Sequence, residues 1–404
     1  MTVASSIPGT YRLSSSWRST TEPLIRPFMP ELDTLRGIAI AAVLLYHGFF
    51  WSQGIGGLVG VARLFVLATL PGWLGVNLFF VLSGFLITGI LLDTRRTSDY
   101  YRRFYVRRAL RILPAYYAIL LLLAVLRAAS PGFLIFSIFY LSNLAPLFGV
   151  AASYPVLWSL AVEEHFYLLW PTIVRRLSAK AVFGCACATV LVTPVIRWIE
   201  FEVGAGEGLS SYTWNVSDAL AAGAILAIAL REFHKDRQWL MRFSALLISS
   251  AIILELAGAR FGILTRLRPL GAALQETPWN LMFTGVLGLF LLFGTTPWRF
   301  LVVRPTLRFL GDISYGLYLI HLLVFEAYDS ISKRYFPHLP EMIGRFGAMW
   351  VRFACAAGVA IILSYFSRRY FESYFLRLKG KWSSETNKSV VPTSPRRSAF
   401  LDTR

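Results

Sequence analysis

The feature that most constrains this chain is a series of long apolar segments, which recurs from Leu35 to Tyr365. Hydrophobic residues make up 56% of the 404 positions and charged residues only 15%. The mean hydropathy of +0.58 is too high for a soluble globular protein. Runs of this length are typical of membrane helices, in which every backbone polar group is satisfied internally. The sequence therefore predicts an all-α polytopic integral membrane protein.

About ten transmembrane helices are predicted from the apolar runs. They are placed at 35–51, 72–92, 110–126, 156–174, 181–199, 216–230, 243–257, 279–294, 309–326 and 346–366. A further apolar segment, 132–149, is interrupted by Ser142, Asn143, Pro146 and Gly149. We expect this segment to be re-entrant or to lie on the membrane surface.

The distribution of positive charge supports this topology. The net charge is +18, but the arginines gather in short loops between apolar runs, which is a topology signal rather than a sign of nucleic-acid binding. If 132–149 does not cross, most lysines and arginines lie on one side of the membrane. If it crosses, most of that bias is lost. The positive-inside rule therefore predicts that both termini are cytoplasmic.

The apolar part of the chain is flanked by two polar segments. Residues 1–30 are rich in Ser, Thr, Pro and Arg, and residues 379–404 in Ser, Thr, Lys and Arg. Both are predicted to be disordered cytoplasmic tails, with one membrane domain at 31–378 between them. Residues 1–30 lack the apolar core of a signal peptide. No further catalytic domain is expected after residue 378.

The first apolar run contains two ionisable side chains, Arg36 at its start and His47 within it. Eleven residues at ~100° each amount to three turns and ~20°, so the two side chains share a helix face about 16 Å apart along the axis. Ionisable groups inside a membrane segment are costly, and they are candidates for function. In the predicted topology Arg36 lies at the cytoplasmic end and His47 near mid-membrane.

Basic residues precede the third apolar run. Arg103, Arg107, Arg108 and Arg111 occur at spacings of three and four, which predicts that they line one helix face. They are either an ordinary positive-inside anchor or a phosphate site, because guanidinium groups bind phosphate oxygens in bidentate fashion.

Two adjacent carboxylates occur in the fourth run, in Trp-Ser-Leu-Ala-Val-Glu-Glu-His. Glu163 and Glu164 project ~100° apart, so they cannot easily face one site. Ser159 shares a face with Glu163. Buried carboxylates need a partner or a proton, so a purely structural role is hard to sustain.

Two further patterns have both structural and functional interpretations. Ser83 and Gly84 interrupt an apolar helix, where small residues usually mark close helix packing. Ser314, Tyr318 and His321 share one face at spacings of four and three, which suits either a hydrogen-bonded helix seam or a substrate-lining stripe. The three cysteines are interpreted as packing residues, because no His or carboxylate lies near them in a metal-binding spacing.

Taken together, these stretches resemble the acyltransferase 3 family of membrane-bound acyltransferases. The motifs are Asp-x-x-Arg-Gly with a histidine eleven residues after the arginine, Phe-x-Leu-Ser-Gly-Phe-Leu-Ile, Arg-x-x-Arg-Ile-x-Pro-x-Tyr, Trp-Ser-Leu-x-Val-Glu-Glu and Ser-Tyr-x-x-Tyr-Leu-x-His. They occur in the family's order over roughly residues 31–375. One departure is His165, where the family pattern has glutamine.

The resemblance implies transfer of an acyl group, commonly acetyl, from cytoplasmic acyl-coenzyme A to a hydroxyl of a sugar-containing acceptor. It implies a multi-pass protein of a bacterial inner membrane, with His47 as general base and Arg36 assisting donor binding. Glu163 would orient His47 or the acceptor, and the four arginines would bind the phosphates of the donor. Further residues expected to line the site are Asp33, Ser83, Asn143, Ser159, Glu164, Ser314, Tyr318 and His321.

Beyond the donor substrate and the lipid bilayer, no resident cofactor or metal is expected. His47 either acts as base in a complex of both substrates or carries the acyl group itself.

A second class of function also stays open. The same intramembrane charges suit a transporter or flippase for a lipid-linked sugar or small metabolite, although no internal repeat relates the two halves of the chain. An enzyme would depend on acyl-coenzyme A, whereas a transporter would not.

Overall fold

The computed structural model describes residues 23–204, 211–233, 236–265 and 267–384, with the side chains described as far as residue 378. Across these residues the chain is helical, without a strand. The helices are α1 (Pro30–Leu45), α2 (Gly60–Thr69), α3 (Gly75–Thr94), α4 (Tyr100–Val125), α5 (Pro131–Ile138), α6 (Leu157–Arg176), α7 (Ala179–Glu202), α8 (Thr213–Ile228), α9 (Arg237–Phe261), α10 (Pro269–Leu274), α11 (Thr277–Phe293), α12 (Arg299–Val302), α13 (Pro305–Tyr335), α14 (Leu339–Phe366) and α15 (Ser373–Ser384).

Nine helical segments in the described ranges are long and apolar enough to cross a bilayer. The remaining predicted span, 156–174, corresponds to α6, which has 20 residues. At 1.5 Å per residue this is about 30 Å, the thickness of the hydrocarbon core. Its hydropathy is lowered by Glu163 and Glu164 and by two arginines in its last turn. The prediction of an all-α polytopic membrane protein is thus confirmed.

The sequence analysis did not predict α2, nor the short helices α10 and α12. The 10-residue α2 precedes the predicted second span, and a 3₁₀ helix (Leu70–Leu74) joins it to α3. The three elements form a continuous helical stretch, Gly60–Thr94. Pro71 and Gly72, which have low helix propensity, occupy the 3₁₀ turn. The predicted span began at residue 72 and therefore left out the helix before it.

The interrupted apolar segment at 132–149 does not span the membrane. It contains the 8-residue α5 and a 4-residue 3₁₀ helix, Ala145–Phe148. Eight residues rise about 12 Å, far less than the bilayer core. Two tyrosines of α4 hold the segment, since the phenols of Tyr116 and Tyr117 donate hydrogen bonds to the carbonyls of Ser137 and Ile138 at 2.7 and 3.0 Å. The predicted non-crossing segment is confirmed.

Glycines allow the central helices to pack with their backbones in contact. A Cβ on Gly84 of α3 would collide with the carbonyl oxygen of Leu220 on α8, and one on Gly223 would meet the carbonyl oxygen of Val81. On α1, a Cβ on Gly37 would collide with the carbonyl oxygen of Leu307 on α13. The packing interpretation of Gly84 is therefore confirmed, as small residues permit such close approach in membrane bundles.

The predicted tails lie mostly outside the described residues, which exclude 1–22 and 385–404. Of the N-terminal segment, residues 23–29 are described. Arg26 forms an ion pair with the fully buried Glu31 and donates a hydrogen bond to the carbonyl of Gly294 at 3.0 Å. At the other end, α15 continues helical to Ser384, past the predicted domain boundary at residue 378.

Candidate active site

A central cavity of about 210 Å³ lies between α1, α3, α4, α6 and α13. Its walls combine apolar side chains with a high density of ionisable and hydroxyl groups. The predicted site residues that line it are Arg36, Ser83, Arg108, Arg111, Ser159, Glu163, Glu164, Ser314 and Tyr318. Residues from five separate sequence motifs therefore meet around one space.

One end of the cavity is basic. Arg36, Arg108 and Arg111 all line it, and Arg111 is exposed. The guanidinium Nη1 of Arg36 lies 2.5 Å from Oδ1 of Asp33, one turn earlier on α1. Asp33 does not line the cavity itself, so its role there is to hold Arg36. Three arginines facing two glutamates leave this space positively charged overall.

Glu163 is held from two sides within the cavity wall. The hydroxyl of Ser83 on α3 donates to its Oε1 at 2.6 Å, and the phenol of Tyr167 donates to its Oε2 at 3.0 Å. Tyr167 also lies against a basic residue, since the Cζ atom of Arg108 is 5.1 Å from the centre of its ring. The carboxylate further interacts electrostatically with Arg108 and Arg36. Glu163 thus belongs to a network with the arginines.

In the described part of the chain, the side-chain donors to Glu163 are Ser83 and Tyr167, and no hydrogen bond joins Glu163 to His47. Sequence spacing gave no means of finding these partners, which come from another helix and from the next turn of α6. The alternative that Glu163 orients the acceptor stays a prediction.

Two aromatic side chains of the cavity wall contact each other. Phe79 of α3 and Tyr318 of α13 meet edge to face with ring centroids 6.2 Å apart. The phenol oxygen of Tyr318 is 2.7 Å from the hydroxyl of Ser159 on α6. Both aromatic residues line the cavity, whereas His321, one helical turn beyond Tyr318, does not. We call Phe79, Tyr318 and Ser159 the partition.

His47 lies beyond the partition, where α1 changes its geometry. The segment Tyr46–Trp51 is a π-helix that continues α1, and single π turns of this kind are frequent at functional sites. The ring of His47 faces His321 of α13, with ring centroids 5.0 Å apart. Tyr46 and Trp51 flank it, with ring centroids 5.1 and 6.2 Å from that of His47. Trp51 is 59% exposed.

Three predicted residues lie elsewhere. Arg103 and Arg107 do not line the cavity, because eight residues of helix place Arg103 about 12 Å from Arg111 along α4. Two of the four arginines thus line the cavity, and the expectation that all four bind the donor stays a prediction. Asn143 contacts the other side of the bundle, where its amide donates to Thr213 Oγ1 at 3.0 Å. The same hydroxyl is 2.6 Å from Nδ1 of His165.

A second buried polar network was missed by the sequence analysis. Arg197 of α7 is fully buried and donates to Oδ2 of Asp218 on α8 at 2.7 Å. Its Nη1 lies 3.5 Å from Oε2 of Glu276. The amide of Asn77 on α3 donates to the same Glu276 oxygen at 3.2 Å and to Asn280 at 3.1 Å. Arg197 and Asp218 both fall within predicted spans, and an ionisable residue in a membrane span is the one signal by which they could have been found.

Among the described residues, no three His, Cys, Asp or Glu side chains form a group able to hold a metal ion.

Residues 29–369 match the family model described as an acyltransferase domain. The match covers most of the chain, which therefore belongs to this acyltransferase family. The resemblance inferred from the five motifs is confirmed.

The curated relatives are bacterial O-acetyltransferases. The chain is 34% identical over 169 residues to the peptidoglycan O-acetyltransferase OatA of Listeria monocytogenes, a match covering 37% of this chain and 24% of that protein. It is 36% identical over 196 residues to YrhL of Bacillus subtilis, covering 41% and 28%. It is 33% identical over 174 residues to the O-acetyltransferase OatA of Staphylococcus aureus, covering 37% and 25%. The matches thus span about a quarter of each relative. No solved structure matches the chain.

Proposed function

We propose that this protein transfers an acyl group, most simply acetyl, from acyl-coenzyme A to a hydroxyl of a carbohydrate acceptor, with His47 as general base. The observation that carries this proposal is the arrangement along α1 and α13. Arg36, at the start of α1, belongs to the basic part of the cavity. His47, later on α1, pairs with His321, which is one helical turn after Tyr318 on α13.

The basic end suits the donor. Coenzyme A carries phosphates, and arginine guanidinium groups bind phosphate oxygens with two parallel hydrogen bonds. Arg108 and Arg111 are therefore assigned to the donor phosphates. Arg36, held by Asp33, lies next to them and offsets charge nearer to the thioester. Glu163 keeps this arginine group in place through its electrostatic interaction with Arg108 and Arg36, so it acts on the donor side of the site.

The donor enters from the cytoplasm, where acyl-coenzyme A is found. This direction agrees with the predicted topology, in which the arginine end of α1 faces inward and both termini are cytoplasmic. The protein is accordingly proposed to lie in a bacterial inner membrane.

The acceptor approaches His47 from the side opposite the donor. Tyr46 and the exposed Trp51 flank the imidazole, and flat aromatic faces offer a large contact area to the apolar face of a sugar ring. Relatives of this chain bear the name peptidoglycan O-acetyltransferase, which makes a glycan of the cell envelope the first acceptor to examine.

The reaction is written as a direct transfer within a complex of both substrates. Nε2 of His47 takes the proton of the acceptor hydroxyl as its oxygen attacks the thioester carbonyl. The new carbon–oxygen bond forms and the carbon–sulfur bond breaks. The imidazolium then returns the proton to the departing thiolate, which leaves as coenzyme A. Because His47 does not line the cavity, the proposal includes a movement of Phe79 or Tyr318 that lets the thioester reach it.

The proposal is tested by acetyl transfer in membranes that contain the wild type or His47→Ala, with radiolabelled acetyl-coenzyme A and envelope glycans. Label in a hydroxyl ester of an isolable product, present only with His47, is the expected result. Equal labelling by both membranes would refute the role of His47. No labelling by folded wild-type protein with several donors would favour a transporter. Label trapped covalently on His47 without acceptor would replace direct transfer by an acyl-enzyme route.

A further inference from the structure

His321 lies within hydrogen-bonding distance of His47, and the protein buries it completely. Its Nε2 lies 3.3 Å from Nδ1 of His47. The two residues come from different helices, α13 and α1, which run side by side with glycine backbones in contact. A Cβ on Gly311 of α13 would collide with the carbonyl oxygen of Asp33 on α1. The close helix approach thus brings the two rings within hydrogen-bonding range.

The partners of His321 define its tautomer. Its Nδ1 lies 2.8 Å from the carbonyl oxygen of Tyr318 and 3.1 Å from that of Leu317. A carbonyl oxygen only accepts hydrogen bonds, so Nδ1 of His321 carries the proton. In the neutral imidazole the other nitrogen, Nε2, then holds a lone pair. Nε2 of His321 is therefore an acceptor aimed at His47.

The tautomer of His47 follows from that of His321. Its Nδ1 lies between two acceptors, Nε2 of His321 at 3.3 Å and the carbonyl oxygen of Val43 at 3.0 Å. Nδ1 must therefore be the protonated nitrogen of His47. The lone pair of His47 is consequently on Nε2, the nitrogen that a general base must present to its substrate.

We propose that His321 is a positioning residue for the acyl transfer. It fixes the base tautomer of His47 and accepts the Nδ1 hydrogen bond that strengthens when His47 becomes an imidazolium ion. In serine hydrolases a carboxylate in the same position holds the catalytic histidine. Here the partner is neutral, which avoids a second permanent charge in a buried part of the bundle. This inference rests on the proposed function.

The test compares His321→Gln with His321→Asn in the purified full chain reconstituted in nanodiscs. Both replacements are polar amides. The Gln amide extends to the position of Nε2 and can still accept from His47. The Asn amide reaches only the position of Nδ1, so it retains the contacts to the backbone carbonyls but not the one to His47. A structural role alone would tolerate Asn at least as well as Gln.

We expect His321→Asn to lower kcat about 100-fold, within the range for general-base assistance, while the KM values of donor and acceptor stay within about twofold. The kcat of His321→Gln should be at least about tenfold higher than that of His321→Asn. The matched control is His338→Gln, at an exposed histidine that pairs with Glu341, which should behave as wild type. Fold is monitored by thermal unfolding in nanodiscs.

Two results would overturn the inference: equal kcat for the Asn and Gln variants, or a loss confined to KM. If either variant fails to fold, His321→Ala combined with added imidazole replaces it, because the truncation leaves space for an imidazole; rescue of kcat supports the inference and no rescue refutes it. Failure of the proposed function is separate. In that case His47→Ala keeps full activity, or wild type transfers nothing, whatever residue 321 is.

Discussion

The hydroxyl of Ser83 on α3 donates a 2.6 Å hydrogen bond to Oε1 of Glu163 on α6. This contact joins two of the motifs that define the family and fixes a carboxylate in the wall of the cavity. It also gives the first prediction. Ser83→Ala should lower kcat/KM for the donor about tenfold, because a hydrogen bond to a charged group contributes roughly 1.5–3 kcal/mol.

Steady-state kinetics with varied acyl-coenzyme A measure this loss. The control is Ser330→Ala, which removes an exposed hydroxyl of α13 that bonds only to the carbonyl of Glu326. Unchanged kcat/KM in Ser83→Ala would show that Glu163 is held well enough by Tyr167 alone.

The arginines of α4 should differ in their contributions. Arg108→Ala and Arg111→Ala are each expected to raise the KM for the donor by about ten- to hundredfold, since each loses a charge-assisted contact to phosphate. Arg103→Ala should have a smaller effect, because Arg103 does not line the cavity. Initial rates at varied donor concentration give the comparison, with the exposed Arg242→Ala as control. A larger effect at Arg103 than at Arg111 would restore the sequence expectation of a donor site along the whole helix face.

Trp51 should affect the acceptor and not the donor. Trp51→Ala is expected to raise the KM for the acceptor about tenfold through loss of an aromatic contact, with the donor KM unchanged. Trp198→Ala is the matched control, as Trp198 is also about half exposed at 51% but lies on α7, away from His47. Equal effects of the two substitutions would identify Trp51 as an interfacial membrane anchor.

The buried ion pair between Arg197 and Asp218 should matter for stability. Asp218→Asn removes the nearer of two carboxylate partners of the fully buried Arg197 and leaves Glu276 at 3.5 Å; because breaking a buried pair costs about 3–5 kcal/mol, we expect a loss of stability of up to this size. By contrast, Asp93→Asn removes a partner of Arg231 that is 56% exposed, where a pair contributes less than about 1 kcal/mol. Thermal unfolding in one detergent compares the two variants. If both variants lower the melting temperature equally, the buried pair contributes no more to stability than the exposed pair.

Two glycines provide a matched pair for the packing argument. Gly84→Ala should destabilise the bundle by about 1–3 kcal/mol, because its Cβ would collide with the backbone of α8. Gly184→Ala on α7 has no atom within 4 Å of the new Cβ, and it should stabilise the helix by about 0.5–1 kcal/mol. The sign of the change in unfolding free energy separates the two sites. Destabilisation at residue 184 would contradict the packing described for α7.

The membrane helices were predictable because the bilayer sets both their length and their composition. All ten predicted spans coincide with long helices, and 132–149 was recognised as non-crossing from charge bias alone. The exceptions were the short helices α10 and α12 and the helix at 60–69, which joins the next span through Pro71 and Gly72. The predicted span began at residue 72 and left out the helix before it, whereas packing against α1 maintains a helical path through those two residues of low helix propensity.

The site was predictable only in part, for a different reason. Periodicity assigns residues to faces of their own helix, so it grouped Ser159 with Glu163. It cannot say which helices are neighbours, and therefore could not pair Glu163 with Ser83 or His47 with His321. The buried network around Arg197 escaped for the same reason, because its members are single polar residues in four different apolar segments.

The partition of Phe79, Tyr318 and Ser159 has an electrical consequence. A water-filled cavity conducts ions well enough to be nearly equipotential with the solution at its open end. If water fills the cavity, the transmembrane voltage falls mainly across the rest of the bundle, which contains His47, because His47 does not line the cavity. A unit charge crossing 100 mV changes energy by about 2.3 kcal/mol. In the proposed reaction, the proton that passes from the acceptor to His47 and on to the thiolate thus moves where the membrane field is concentrated.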